Sequence, residues 1–369
     1  MVDEQSLRAY VRLRLSAGIG PITFRRLVDA FGDVQSILSN VNRWRQVDGV
    51  GPKAVAAVGA VTDDQVQEEI ELARQSGASI VCPADDEYPK ALKTIYDYPP
   101  LLYVRGKLLQ ADATAIGVVG ARHCTHYGME QAERFAQLLA RAGFTIVSGG
   151  ARGIDTAAHR GALTGGGRTI AVMGCGLAYT YPPENRGLFE EIISSGRGAV
   201  VSELPMRTAV LAGNFPTRNR IISGMSIGLL VVEAARKSGS LITASVAGEQ
   251  GRAIFAVPGR VDSPTSQGVN ELIRTGATLV QNLDDILEEL PEVGKKLGPE
   301  IPPAPLWRPV LEGDEKVLID HLTVDGIGLD ELVNRVSMPA GRVLSAMTML
   351  VIKGLVAQSA GNVFRLKKG

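Results

Sequence analysis

Ile116-Gly117-Val118-Val119-Gly120-Ala121-Arg122 is an apolar run that ends in a glycine turn carrying an arginine. Behind it, Ala132, Phe135, Ala136, Leu139 and Ala142 recur at the spacing of a helix packed along one face. Strand, glycine turn and helix form the repeating unit of a parallel sheet. The turn lies at the carboxyl edge, where such sheets bind phosphate-bearing ligands. Arginine is suited to that place because its planar fork grips two oxygens at once. The G-x-G-x-x-G spacing of dinucleotide folds is absent, and Val147-Ser148-Gly149-Gly150 closes the next run without an acidic residue. Nicotinamide binding is therefore not expected.

The unit repeats outward in both directions. Val/Ile-rich runs at 79–82, 101–104, 116–119, 145–148, 169–173, 199–202, 228–233, 253–257 and 278–280 alternate with helical stretches. That alternation predicts an α/β fold, an extended Rossmann-like, doubly wound parallel sheet over 76–290. A second turn, Ser148-Gly149-Gly150-Ala151-Arg152-Gly153-Ile154-Asp155, opens a helix in which Asp155 is placed to cap or to orient Arg152. A third, Arg236-Lys237-Ser238-Gly239-Ser240, follows the run at 228–233. Between them, Phe215-Pro216-Thr217-Arg218-Asn219-Arg220 sets an aromatic beside two arginines. Each signal alone is weak, but three such turns at one sheet edge predict a groove for a polyanion.

Charge agrees locally. The 369-residue chain has 39 Lys+Arg against 39 Asp+Glu, which excludes a uniformly basic coat but not a basic patch. Residues 101–280 hold 18 cations against 12 acids, and all but Lys107 and Lys237 of those cations are arginine. Some are expected to pair with Glu184, Glu203 or Glu233 instead of a ligand.

Flanking regions read differently. Residues 1–75 form short helices in which Gly18-Ile19-Gly20-Pro21 and Gly49-Val50-Gly51-Pro52 each lead into an apolar helix, a helix-hairpin-helix or SAM-like pattern. Arg25, Arg26 and Lys53 stand where they would assist a phosphate; helix packing alone is the plainer reading. Residues 291–309 carry six prolines and read as a stiff linker. Helices at 314–322, 329–335 and 340–353 and a hairpin of 355–358 with 363–366 make 310–369 a winged helix. Its seven cations balance seven acids, and its third helix offers only Arg342 and Lys353. A duplex reader is normally more basic, so protein contact or packing is the favoured role.

Cys82, Cys124 and Cys175 are widely spaced, Met1-Val2-Asp3-Glu4 is charged where a signal peptide is apolar, and no apolar run approaches a membrane span. A cytoplasmic protein without membrane contact is expected. His123-Cys124-Thr125-His126 has no second cluster to complete a metal site, and no nucleotide-hydrolysis or nucleophile motif is present. No catalytic residue, metal or cofactor is expected.

These segments together resemble the DNA-processing protein A family (DprA, also called Smf). The resemblance runs through Tyr88-Pro89, Asp97-Tyr98-Pro99-Pro100-Leu101, Val119-Gly120-Ala121-Arg122, the Ser148 to Asp155 turn, and Tyr181-Pro182 with Asn185. It continues through Phe215 to Gly224, Glu233-Ala234 with Ser238-Gly239-Ser240-Leu241-Ile242-Thr243-Ala244, Pro258-Gly259, and Gly268-Val269-Asn270 with Gly276-Ala277. The resemblance implies a homodimeric single-stranded DNA-binding protein that shields incoming DNA and loads the RecA recombinase during natural transformation. By residue, it assigns the main phosphate contact to Arg122 and a second to Lys237. Arg218, Asn219, Arg220 and Asn270 fall on motifs that line the same pocket, and Gly120, Gly149, Gly150, Arg152, Phe215, Ser238, Gly239 and Ser240, from the turns and the aromatic segment read above, complete the expected DNA site. Two departures stand out. Ala121 replaces the usual serine, leaving a backbone N–H. Pro183 stands where relatives often carry lysine, with Arg186 near enough in sequence to substitute. The competing reading is an enzyme, a Rossmann-type nucleoside monophosphate glycosidase. That class places glutamate where this chain has Val246, and its paired-glycine turn is missing here.

Overall fold

A computed structural model describes residues 2–290, 311, 313–323, 326–336, 338–352, 355–359 and 363–366. They fall into two compact units, one within Met1–Pro299 and the other within Glu300–Gly369. The proline-rich stretch 291–309 lies outside the described residues.

Nine strands build the sheet of the first unit: β1 (Ala78–Val81), β2 (Leu102–Gly106), β3 (Ala115–Val119), β4 (Thr145–Ser148), β5 (Thr169–Val172), β6 (Gly198–Ser202), β7 (Gly228–Val231), β8 (Ala253–Ala256) and β9 (Thr278–Leu279). Their order is β1-β2-β6-β5-β4-β3-β7-β8-β9. All pairs from β6 to β9 are parallel; β1 and β2 extend one edge antiparallel. Every residue of β3 through β7 is buried, as expected of a parallel sheet covered on both faces. All nine predicted runs contain strands, although in the run at 228–233 the strand ends at Val231 and leaves Glu233 in the turn.

The amino-terminal helices are α1 (Glu4–Leu15), α2 (Pro21–Phe31), α3 (Val34–Ser39), α4 (Pro52–Ala60) and α5 (Asp63–Gln75). Gly20 and Gly51 precede the prolines that start α2 and α4, and Phe24, Leu27, Ala54 and Val58 are buried, as the hairpin pattern predicts. Two of the three hairpin cations are engaged within the chain, while Lys53 is exposed: Arg26 donates to the Asp48 carbonyl at 3.2 Å, and Arg25 bonds Asp29 at 2.9 Å while lying over the Tyr98 ring. Polar ties fasten these helices to the segment after β6, among them an Arg207–Glu68 ion pair at 2.8 Å. Arg14 Nε donates to the Glu203 carbonyl at 2.6 Å, and Met206 N–H to Glu69 at 2.7 Å.

After the short helix α6 (Lys90–Lys93), the sheet is covered by α7 (His126–Arg141), α8 (Ile154–Thr164), α9 (Arg186–Ser194), α10 (Asn214–Gly224), α11 (Gly239–Glu249) and α12 (Gln267–Arg274). Helices α7 and α8 approach closely because Gly161 lacks a side chain; a Cβ there would sit 2.2 Å from the Glu133 carbonyl oxygen.

The second unit is a winged helix. Helices Asp314–Ile319, Leu329–Val336 and Ala340–Ile352 pack Leu318, Leu332, Val343, Met347 and Leu350 against Val356 and Phe364 of the wing. Its sheet runs β10 (Ile327–Gly328), β12 (Val363–Leu366), β11 (Val356–Ser359). The two-residue β10 is too short to register as a pattern. Arg342 forks onto Asp314 at 2.6 and 2.8 Å, whereas Lys353 lies outside the described residues.

Candidate nucleic-acid interface

From β3 the chain winds through α7 to β4 on one side; from β7 it winds through α11 to β8 on the other. Such a reversal leaves a crevice beyond the carboxyl ends of the two central strands. A cleft of about 620 Å³ opens there. Its walls come from Gly120 and Arg122 after β3, Asp155 at the start of α8, Tyr181, Phe215, Arg218 and Asn219 on α10, and Ser238, Gly239 and Ser240 at the start of α11.

The aromatic wall is built on glycine. Phe215 packs over Gly174, where a Cβ would fall 2.9 Å from the ring. The exposed Arg122 guanidinium lies 4.8 Å from the Phe215 centroid, a cation–π contact that holds the long side chain at the cleft mouth. Tyr181 flanks the same ring at 5.8 Å. Opposite, Ser238 caps α11, its hydroxyl accepting from Ser240 N–H at 3.3 Å, so the positive end of an eleven-residue helix faces the cleft. Lys237 stands exposed one residue before that cap.

The floor is charged and buried. Arg218 is 4% exposed and Asp155 7%. Arg218 Nη1 donates to the carbonyls of Gly149, at 2.6 Å, and Val172, and Asp155 accepts from Ala151 N–H at 3.2 Å. Burial lowers the Arg218 pKa to about 10; Asp155 opposes the shift and the like charge of Arg122 adds to it. Burial raises the Asp155 carboxyl, with Arg218 opposing.

Glu233 holds the Arg122 turn at both ends, a role the sequence reading missed. Its carbonyl accepts from Ala121 N–H at 2.7 Å, and its carboxylate accepts from Thr125 N–H at 2.8 Å, Thr125 Oγ1 at 3.0 Å and Thr265 Oγ1 at 2.6 Å. Gly128 makes room, since a Cβ there would lie 2.3 Å from the carboxylate. Glu233 therefore takes hydroxyls and a backbone N–H where an arginine partner was expected. The Ala121 N–H, expected to remain for phosphate, is already committed to Glu233.

The cleft gathers Gly120, Arg122, Phe215, Arg218, Asn219, Ser238, Gly239 and Ser240 from the expected set, with Lys237 beside it. Others lie elsewhere. Gly149 supports Arg218 from behind, and Gly150 takes φ +68° with Phe189 against it. Arg152 pairs with Glu184 at 2.6 Å, so Asp155 does not orient it. Arg220 is 5% exposed, clamped between Asp97, at 3.2 Å, and Glu203. Asn270 exchanges hydrogen bonds with Gly259 at 3.0 and 3.2 Å. Arg186 begins α9 and is not part of the cleft lining. Asp155 and Tyr181 line the cleft without having been expected there. Among the described residues no group of three His, Cys, Asp or Glu is placed to hold a metal, and no helix is long and apolar enough to cross a membrane.

The family described as DNA recombination-mediator protein A matches residues 79–291, flanked by the DprA-like N-terminal HHH domain at 4–71 and the DprA winged helix domain at 302–362. The chain belongs to the DprA/Smf family. Protein Smf of Synechocystis is 34% identical over 93% of this chain and 94% of its own length. The X-ray structure of DNA processing protein A from Streptococcus pneumoniae superposes with a TM-score of 0.67 at 35% identity, covering 76% of this chain and 97% of that one. A structure of DNA processing protein A from Helicobacter pylori, described for its single-stranded DNA binding mode, gives 0.52 at 30% identity, covering 59% and 98%. In this DprA/Smf chain the cleft therefore sits within the segment matched by the family's central domain.

Proposed function

We propose that this DprA/Smf-family protein captures single-stranded DNA in the cleft beyond β3 and β7, and works in the cytoplasm as a homodimer that passes the strand to RecA during DNA uptake and recombination. Residues 76–290 are the DNA-binding unit in this reading, between the helical domain at 1–75 and the winged helix at 310–369. The observation that carries it is convergence: an unpaired arginine, an aromatic ring, and a capped helix N-terminus beside a lysine meet at one sheet edge. Phosphate oxygens suit Arg122, Lys237 and the N–H groups at the start of α11, while Phe215 offers a face to a base. Single-stranded DNA presents both features, and a duplex hides its base faces. The Helicobacter pylori relative, described as binding single-stranded DNA, supports the assignment. The reading involves no catalytic step; binding and transfer are the whole activity.

Fluorescence anisotropy of labelled oligo-dT against a matched duplex, at two salt levels, tests it. The single strand is expected to bind more tightly, with a log–log salt slope of about −0.7 per phosphate contacted. Arg122→Ala and Lys237→Ala are each expected to weaken binding and flatten that slope by about one contact. Equal binding of duplex and single strand, or variants indistinguishable from wild type, would overturn the reading. Stimulation of RecA filament growth on coated DNA, and sedimentation as a dimer, test the partners.

A further inference from the structure

The cleft floor has features that phosphate binding leaves unused. Phosphate is served at the rim, by Arg122, Lys237 and the start of α11. Below the rim lie two buried charges of opposite sign, Asp155 and Arg218, both lining the cleft. Arg218 spends its hydrogen bonds on the carbonyls of Gly149 and Val172, not on Asp155, and its buried Nε has no partner. A buried guanidinium left incompletely satisfied is costly, and a buried carboxylate beside it is retained at a similar cost. Phe215 and Tyr181 form a wall above them, and about 620 Å³ is enough for a whole nucleoside.

We propose that the cleft takes in one nucleotide of the bound strand base-first, and that Asp155 and Arg218 read the edge of that base with preference for guanine. This rests on the single-stranded DNA reading above. The argument is a count of donors and acceptors. Every base edge offers the guanidinium an acceptor, but guanine alone sets two adjacent donors, N1–H and N2–H, beside its O6. A carboxylate accepts both at once; thymine, cytosine and adenine present it with a single donor group. The ring stacks against the wall formed by Phe215 and the Arg122 guanidinium that lies over it, as any base would, so the wall supplies affinity and the floor supplies choice. The phosphate of the same nucleotide then reaches the rim cations.

The test uses the full chain and three probe sets. Oligo-dT carrying one central dG, dA, dC or inosine is titrated by anisotropy. The dG strand is expected to bind about tenfold tighter than all-dT, and inosine, which lacks N2–H, to lose most of that gain. Equal affinities for dG and inosine, or for dG and dA, overturn the proposal. Asp155→Asn is expected to bring the dG and all-dT strands to the same affinity. A retained dG preference in that variant overturns it, and the inosine comparison stands if the variant fails to fold. Free dGMP distinguishes a strand from a mononucleotide: weak competition supports the proposal, and displacement as effective as that by unlabelled dG oligonucleotide overturns it. Flat base dependence with binding that still requires Arg122 defeats only the base reading. Absence of any single-strand binding defeats both.

Discussion

Two sides of one helix treat buried arginine in opposite ways. Arg218 and Arg220 are two residues apart on α10 and nearly equally buried. On one side Arg220 is neutralised by Asp97 and Glu203 and serves the join between the sheet and the segments that flank it. On the other side Arg218 is held by carbonyls at the floor of an open cleft. The difference teaches that cationic residue type does not define a binding site; what matters is whether the fold has closed an ion pair directly on the guanidinium. The winged helix repeats the lesson, because Arg342 on its third helix is forked onto Asp314.

The sharpest way to break this comparison is to remove each guanidinium while keeping the stem volume. Arg220→Met strands the Glu203 carboxylate in the interior, and a broken buried ion pair costs about 3–5 kcal/mol. Arg218→Met leaves two carbonyls without a donor, about 1–3 kcal/mol, and is expected to weaken DNA binding as well. Urea unfolding followed by oligo-dT titration separates them. The comparison fails if Arg218→Met is the more destabilising change and leaves DNA affinity intact.

A smaller effect is expected at Glu233, which belongs to the cleft side without touching the cleft's contents. Glu233→Gln keeps an oxygen for Thr125 N–H but puts an NH2 where both threonine hydroxyls donate, so charge-assisted bonds are lost and both hydroxyls must turn to accept. The expected loss is about 1–3 kcal/mol of stability, with a few-fold weaker grip on oligo-dT. Because the defect acts through the Arg122 turn, it should add little to Arg122→Ala in a double-mutant cycle. Full additivity would mean that Glu233 only stabilises the fold.

Much of this was legible in sequence, and the exceptions have physical causes. The runs of β3 through β7 showed most clearly because the parallel sheet is buried on both faces there and tolerates few polar residues. The Arg122 and Ser238 turns showed because a glycine turn between an apolar run and a helix recurs along the chain. Arg220 was grouped with Arg218 by adjacency, although two residues along an α-helix turn through about 200° and present opposite faces. Asn270 and Arg152 stand outside the cleft lining, which a motif cannot show because it names residues without their partners: Gly259 and Glu184 lie 11 and 32 positions away. Asp155 and Tyr181 reach the cleft through tertiary approach, for which one chain carries no local signal.

The least perturbing probe of the Arg218 side is His159, buried beneath it on α8. Thr169 Oγ1 donates to the Ile146 carbonyl at 2.9 Å, so His159 Nδ1 must be the donor in its 2.6 Å contact with that hydroxyl. Nε2 is then a bare, buried acceptor without a partner. Protonating it would bury a charge, and burial lowers the pKa to about 3, with the positive charge of Arg218 adding to the shift. The folded pKa lies below the unfolded value of 6.5. The unfolded state therefore binds the extra proton first, and stability falls as pH drops through 6.5 toward 3. The slope from this one group is at most about 1.4 kcal/mol per pH unit. Urea unfolding between pH 7 and 5, where most carboxylates stay ionised, should show a steeper acid decline in wild type than in His159→Gln. Arg218→Met should move the His159 NMR titration upward, whereas Arg220→Met should leave it in place. An equal response to both substitutions would show that the charge on the cleft side is no more exposed to its surroundings than the one already paired.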